Sequence, residues 1–233
     1  MALFGLLLLG IAHVSVPLRA AAAQRVVLRT DDGVSLVATW YEPASRPAPA
    51  VILVHMLQRS RKDWDPVASQ LASEGIGALT FDLRGHGESQ GSAGESLSVM
   101  LQDIKAARRH LASRFEVNHG RVGLAGASAG ANLAAMEASV DTGTASLALL
   151  SPSLDYRGLR IEAAVRKYGS RPLLLVASDE DAYAMRSAKD LQKITGGIRE
   201  LLVLKNAGHG TNMLSASEDL PRQLVEWFRR TLQ

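Results

Sequence analysis

Five short and almost wholly apolar runs recur along the chain, at residues 50–55, 76–83, 122–125, 146–150 and 173–177. A run without polar alternation suits a strand buried on both faces, and such strands belong to parallel sheets covered by helices. The segments between them supply those helices. Residues 65–74 place Val67, Ala68 and Leu71 at helical spacing and stop at Gly75, while 97–114 repeats Leu101, Ile104, Ala107 and Leu111 with the same period. Residues 129–139, 159–168, 182–195 and 220–232 continue the series, the last with Leu224, Val225 and Phe228 on one side, and 199–204 adds another strand. Ahead of them, 26–30 and 34–42 flank Asp31-Asp32-Gly33, a hairpin signal. Strands alternating with helices of this length predict βαβ units and a mostly parallel central sheet of about eight strands, flanked by helices.

The N-terminus breaks this pattern. From Leu3 to Val16 only His13 and Ser15 interrupt an apolar stretch, and Ala20 to Ala23 supply small residues before Gln24. Residues 1–23 therefore read as a signal peptide cut after Ala23, with export to the periplasm or medium. The stretch is too short for a comfortable transmembrane span. It carries no Lys or Arg ahead of its apolar part, which leaves an uncleaved N-terminal anchor as the alternative. Residues 24–233 then form a single domain, of a length that one hydrophobic core can serve. Cysteine is absent, so no disulfide can brace an exported form and packing alone must hold the fold.

At 47% hydrophobic and 21% charged residues the composition is that of a globular protein, and the net charge of +3 is mild. Arg59, Arg61 and Lys62 are the tightest basic cluster and have no interleaved aromatics, which argues against nucleic acid as a partner. The histidines lack metal-ligand spacing and no H-E-x-x-H occurs, so no metal is expected. Gly85-His86-Gly87 lacks the further glycine of a dinucleotide fingerprint, and no cofactor is expected either. Nothing in the sequence specifies an oligomeric state.

Gly126-Ala127-Ser128-Ala129-Gly130 lies between one of the apolar runs and an alanine-rich helical segment. G-x-S-x-G at a strand-to-helix junction presents its serine on a sharp, strained turn, with small neighbours that let strand and helix approach. A serine hydroxyl is a weak nucleophile at neutral pH and needs a base within hydrogen-bond reach. His209 follows the last strand, at the carboxyl edge where open α/β sheets bind ligands. His55 and His86 also end or follow strands at that edge and stay open as bases on this reading, whereas His110 and His119 fall on a helix face and in a polar turn. A carboxylate must hold the imidazole tautomer, and Ser178-Asp179-Glu180-Asp181 offers three. Asp179 and Asp181 would point the same way in an extended segment, and either one is equally a cap for the helix that follows.

Four segments, in this order and spacing, carry a resemblance that covers nearly all of residues 24–233: Leu53-Val54-His55-Met56-Leu57, Asp82-Leu83-Arg84-Gly85-His86-Gly87-Glu88-Ser89, Gly126 to Gly130, and Asn206-Ala207-Gly208-His209-Gly210. The chain resembles the α/β-hydrolases, near the dienelactone hydrolases and small esterases. The resemblance implies the α/β-hydrolase fold and a Ser128, Asp181, His209 triad acting on a small-molecule ester, with an acyl-enzyme intermediate. It assigns His55 to the oxyanion loop and His86 to a turn that shapes the pocket wall. Residues 82–89 show no chemistry of their own and read as a structural turn, with Asp82 and Arg84 tying neighbouring loops together. It puts the acid at Asp181 over Asp179, by aligning Ser178 with the small residue that ends the family's strand. The oxyanion donors it implies are the backbone N–H groups of Ala129 and Leu57. Met56 stands where most members have glycine, a departure that bears on the loop's backbone and on substrate binding.

Between residues 150 and 173 there is room for one helix and no lid domain, so an open, shallow site for small or short-chain acyl esters is expected. Met56, Leu57, Trp64, Tyr156 and Tyr183 are its candidate lining. A serine peptidase or thioesterase on the same triad, or a non-catalytic binding module of the same fold, are the alternatives.

Overall fold

The computed structural model describes residues 23–194 and 196–232. Most of the expected signal segment therefore lies outside the described residues. The chain opens with a hairpin, β1 (Ala23–Arg29) and β2 (Ser35–Tyr41), paired from Ala23 with Tyr41 to Arg29 with Ser35. Then come β3 (Ala48–Val54), a 3-10 turn (Arg61–Trp64), α1 (Asp65–Ser73), β4 (Gly77–Phe81), α2 (Leu97–Ala112), β5 (Val117–Ala127) and α3 (Ala129–Val140). The second half contains β6 (Thr144–Leu150), β7 (Asp155–Tyr156), β8 (Leu159–Arg160), α4 (Glu162–Tyr168), β9 (Leu173–Ser178), α5 (Ala182–Gln192) and β10 (Arg199–Leu204). Helices α6 (Asn212–Ala216) and α7 (Leu220–Leu232) complete the described chain. None of its helices is long and apolar enough to cross a membrane.

Eight strands form one sheet in the order β1-β2-β4-β3-β5-β6-β9-β10, with β2 antiparallel to both of its neighbours, β1 and β4, and the remaining pairs parallel. This is the expected mostly parallel sheet of the α/β-hydrolase fold. The continuous apolar runs are explained by two-sided burial. In β3, Ala50, Ile52 and Val54 enter one core with α2 and α3, while Val51 and Leu53 enter the other with α1 and α7. The same alternation divides Leu147 and Leu149 from Ala148 and Leu150 in β6.

Two expectations need correction. Residues 159–168 do not form one helix: Leu159 and Arg160 pair with Tyr156 and Asp155 in a two-stranded hairpin, and α4 starts at Glu162. Gly158 at φ 83° makes the tight turn that a helix would forbid. Trp64 does not line a pocket, because it is fully buried in the core beneath α1. No lid domain interrupts residues 151–172, which hold only that hairpin and α4.

Asp82 and Arg84 tie loops together as expected. Asp82 accepts the Arg61 N–H at 2.7 Å and the Glu88 N–H at 2.9 Å. Arg84 reaches Asp103 through Nε at 2.8 Å and Asp32 through Nη1 at 2.7 Å.

Candidate active site

The junction of β5 and α3 is a sharp turn. Ser128 caps the helix at φ 53° and ψ −119°, a conformation unfavourable for a residue with a Cβ. Its N–H donates to Leu150 O at 2.8 Å, and its carbonyl accepts from Ala131 at 2.9 Å. Close approach explains the two flanking glycines: a Cβ on Gly126 would strike the Gly130 backbone, and one on Gly130 would lie 2.5 Å from His55 O. The elbow thus brings the N-terminus of α3 against the end of β3.

Around this turn the structure brings together three of the sequence candidates. His209 Nε2 lies 2.8 Å from Ser128 Oγ, and its Nδ1 lies 2.5 Å from Asp181 Oδ2. The carboxylate can only accept, so Nδ1 carries the proton and Nε2 is left to accept the serine hydroxyl. Asp181 also caps α5, its Oδ1 accepting the Ala184 N–H at 3.1 Å. The cap and the imidazole contact use different oxygens of one carboxylate, so the residue makes both contacts at once. Asp179 is turned elsewhere and accepts the Asn206 N–H at 2.8 Å. The His209 side chain is 48% exposed, whereas that of Asp181 is 17% exposed.

An exposed imidazole needs its backbone held, and the loop carrying it is held from several sides. Ser178 Oγ accepts the Ala207 N–H at 2.9 Å, Glu180 Oε1 the Gly208 N–H at 2.6 Å, and Ser151 Oγ the Gly210 N–H at 2.9 Å. The Thr211 hydroxyl donates to Asp63 in the 3-10 turn, and Asp63 is in turn gripped by Arg59 at 2.8 and 2.9 Å. Sequence reading missed Ser151, Glu180 and Asp63 as supports of this loop. A serine directly after an apolar strand is the only trace Ser151 leaves in the sequence.

His55 and His86 stand away from the serine hydroxyl and bond to backbone. His55 Nε2 accepts the Leu83 N–H at 2.9 Å, so Nδ1–H donates to Met56 O at 2.6 Å. Burial pushes the His55 pKa down to about 4, which keeps the ring neutral. His86 Nδ1–H donates to Arg84 O at 2.9 Å. The contact from His55 also orients the next peptide. With Met56 C=O directed at His55, the trans peptide aims the Leu57 N–H the opposite way. Neither the Leu57 nor the Ala129 N–H has a hydrogen-bond partner among the described residues.

The methionine at the usual glycine position does not strain the loop. The left-handed residue is Gln58, at φ 63°, and Met56 is not among the residues with positive φ. The Met56 side chain packs on Gly210, where a Cβ would strike its Sδ and would sit 3.5 Å from Ser128 Cβ. Leu57 and Tyr156 are partly buried against the α2–α3 core. Tyr183 is 51% exposed, with its hydroxyl 3.3 Å from Ser153 Oγ and from Asp155 O.

Comparison with known proteins agrees with this architecture. An uncharacterized protein of Mycobacterium tuberculosis is 32% identical over 133 residues, which is 56% of this chain and 46% of that protein. The chain spans less than half the length of the curated relatives it matches. Among solved structures, a dienelactone hydrolase from Anabaena variabilis superposes with a TM-score of 0.78 at 18% identity, covering 92% of this chain and 100% of that one. An esterase of Pyrococcus furiosus gives 0.74 at 21% identity, covering 96% and 98%. These likenesses establish the fold. The family model described as serine aminopeptidase, S33 (Hydrolase_4) matches residues 45–193, a stretch that contains Ser128 and Asp181. With that match over more than half its length, on an eight-stranded hydrolase sheet with a serine elbow, the chain belongs to the S33 family of the α/β-hydrolase superfamily, as a serine-hydrolase-type member.

Proposed function

We propose that this protein hydrolyses carboxylic esters of small or short-chain acyl groups through Ser128, His209 and Asp181. The observation that carries the reading is the unbroken hydrogen-bond chain from Ser128 Oγ through both ring nitrogens of His209 to Asp181. His209 Nε2 takes the hydroxyl proton as Ser128 Oγ attacks the carbonyl carbon, and Asp181 stabilises the imidazolium that results. The tetrahedral oxyanion is held by the N–H groups of Ala129 and Leu57, each worth about 3–4 kcal/mol in the transition state. Collapse returns the proton from Nε2 to the departing alkoxide and leaves the acyl group on Ser128. Water activated by the same nitrogen then releases the acid.

Met56 bounds the acyl side of this site in the proposal, because its thioether lies against Gly210 beside the serine. The absence of a lid domain within residues 151–172 favours small acyl groups over long lipids. The S33 description supports a second reading, a peptidase on the same residues. Hydrolysis of p-nitrophenyl esters from acetate to palmitate, beside amino-acid p-nitroanilides, separates the two with the full chain and its Ser128→Ala variant. Ester turnover greatest at acetate or butyrate and lost in the variant is the expected result. Anilide turnover above that of every ester would favour the peptidase. Folded protein that turns over neither class and resists a fluorophosphonate would point to a binding module.

A further inference from the structure

The proposed chemistry leaves one strained and buried serine unexplained. Ser151 follows the last residue of β6, has φ 48°, and is 1% exposed. A left-handed backbone is unfavourable for any residue with a Cβ, and such strain persists only where the surroundings over-determine it. Ser151 is fixed by its N–H, which donates to Val176 O at 2.8 Å. Its hydroxyl oxygen accepts the buried N–H of Gly210, the residue after His209, at 2.9 Å. The neighbouring Leu150 carbonyl accepts the Ser128 N–H at 2.8 Å. Two consecutive residues at the end of one strand therefore grip the backbone of the nucleophile turn and that of the base loop.

Apart from the Thr211–Asp63 bond, which reaches the loop from the 3-10 turn, the other bonds to the base loop do a different job. Ser178, Asp179 and Glu180 all precede Asp181 on one segment, so the bonds they accept from residues 206–208 fix His209 relative to its carboxylate. Ser151 reaches the loop from the strand beside the nucleophile. A glycine would adopt the backbone angles of residue 151 without strain, but would leave the Gly210 N–H buried without an acceptor.

We infer that Ser151 is a positioning residue, which with Leu150 sets the separation between Ser128 Oγ and His209 Nε2. The inference rests on the triad reading above. Losing the Ser151 hydroxyl should spare the His209–Asp181 bond and loosen the His209–Ser128 bond. The test compares Ser151→Ala and Ser151→Gly with wild type in the full chain, by the rate of fluorophosphonate labelling, by kcat and KM on p-nitrophenyl butyrate, and by thermal midpoint. A displacement near 1 Å predicts labelling and kcat about 100-fold slower in both variants, with KM little changed. Ser151→Gly, freed of strain, should melt no lower than Ser151→Ala while losing as much activity, and the downfield His209 Nδ1 proton resonance should persist. Labelling within about twofold of wild type in either folded variant overturns the inference. Failure of both variants to fold also overturns it, since the role would then be stability. Wild-type protein that resists labelling as fully as Ser128→Ala would instead defeat the triad reading itself.

Discussion

Asp179 and Asp181 stand two residues apart and serve different partners: Asp179 Oδ1 accepts the Asn206 N–H at 2.8 Å, whereas Asp181 Oδ2 meets His209 Nδ1 at 2.5 Å. One holds the backbone of the loop and the other holds the ring that the loop carries. Their substitutions should therefore separate cleanly. Asp181→Asn keeps a cap for α5 but no longer fixes the imidazole tautomer, and should lower kcat on a p-nitrophenyl ester by about 10⁴-fold. Asp179→Asn keeps an oxygen for the Asn206 N–H and should stay within about threefold of wild type. Equal losses in the two variants would remove Asp181 from its special place.

The contact between Met56 and Gly210 makes a second, coupled prediction. Gly210→Ala drives a Cβ into the Met56 thioether at a position with φ 60°. The left-handed backbone alone costs roughly 1–2 kcal/mol. The single variant should lose stability and at least tenfold in ester turnover, by about the 1.4 kcal/mol per decade that relates barriers to rates. Adding Met56→Ala removes the steric part and should restore some of both, while the backbone part remains. Thermal midpoints and kcat for the two single variants and the double measure this coupling, and strictly additive effects would contradict the contact.

Acid should weaken the fold through His55. Burial lowers its folded pKa to about 4, against 6.5 for a free histidine. Between those values the unfolded chain takes up a proton that the folded chain refuses, so stability falls as pH drops through that window. Below about 4 both states are protonated and this contribution levels off. At 1.36 kcal/mol per pKa unit the full loss is at most roughly 3 kcal/mol. Urea midpoints measured from pH 7.5 to 4.5 should fall more steeply for wild type than for His55→Gln, whose side chain stays neutral. Parallel slopes would show that His55 is not the group responsible.

The sheet was legible because two-sided burial leaves a plain trace, five apolar runs without polar alternation. The serine elbow was legible for a related reason, since close approach at Gly126 and Gly130 excludes any larger side chain. The hairpin of β7 and β8 was not, because two-residue strands have no periodicity and Leu159 fitted a helical spacing equally well. Helix α6, five residues long, is too short to show a helical period. Asp179 and Asp181 were not separable by pattern, since both follow the same strand and differ only in their hydrogen-bond partners. Met56 suggested a strained loop, but the turn places its left-handed residue at Gln58. Ser151 left almost no signal, because its use depends on a backbone angle and on a loop 59 residues away.

The loop that carries His209 is fastened by its main chain. The N–H groups of Asn206, Ala207, Gly208 and Gly210 each end on a side-chain oxygen from another part of the chain. None of those four donors depends on what side chain the loop itself displays. A transplant of residues 206–210 into another scaffold would carry the imidazole without its address. That address is written in Ser151, Ser178, Asp179 and Glu180, so the imidazole can be moved only together with the ends of β6 and β9.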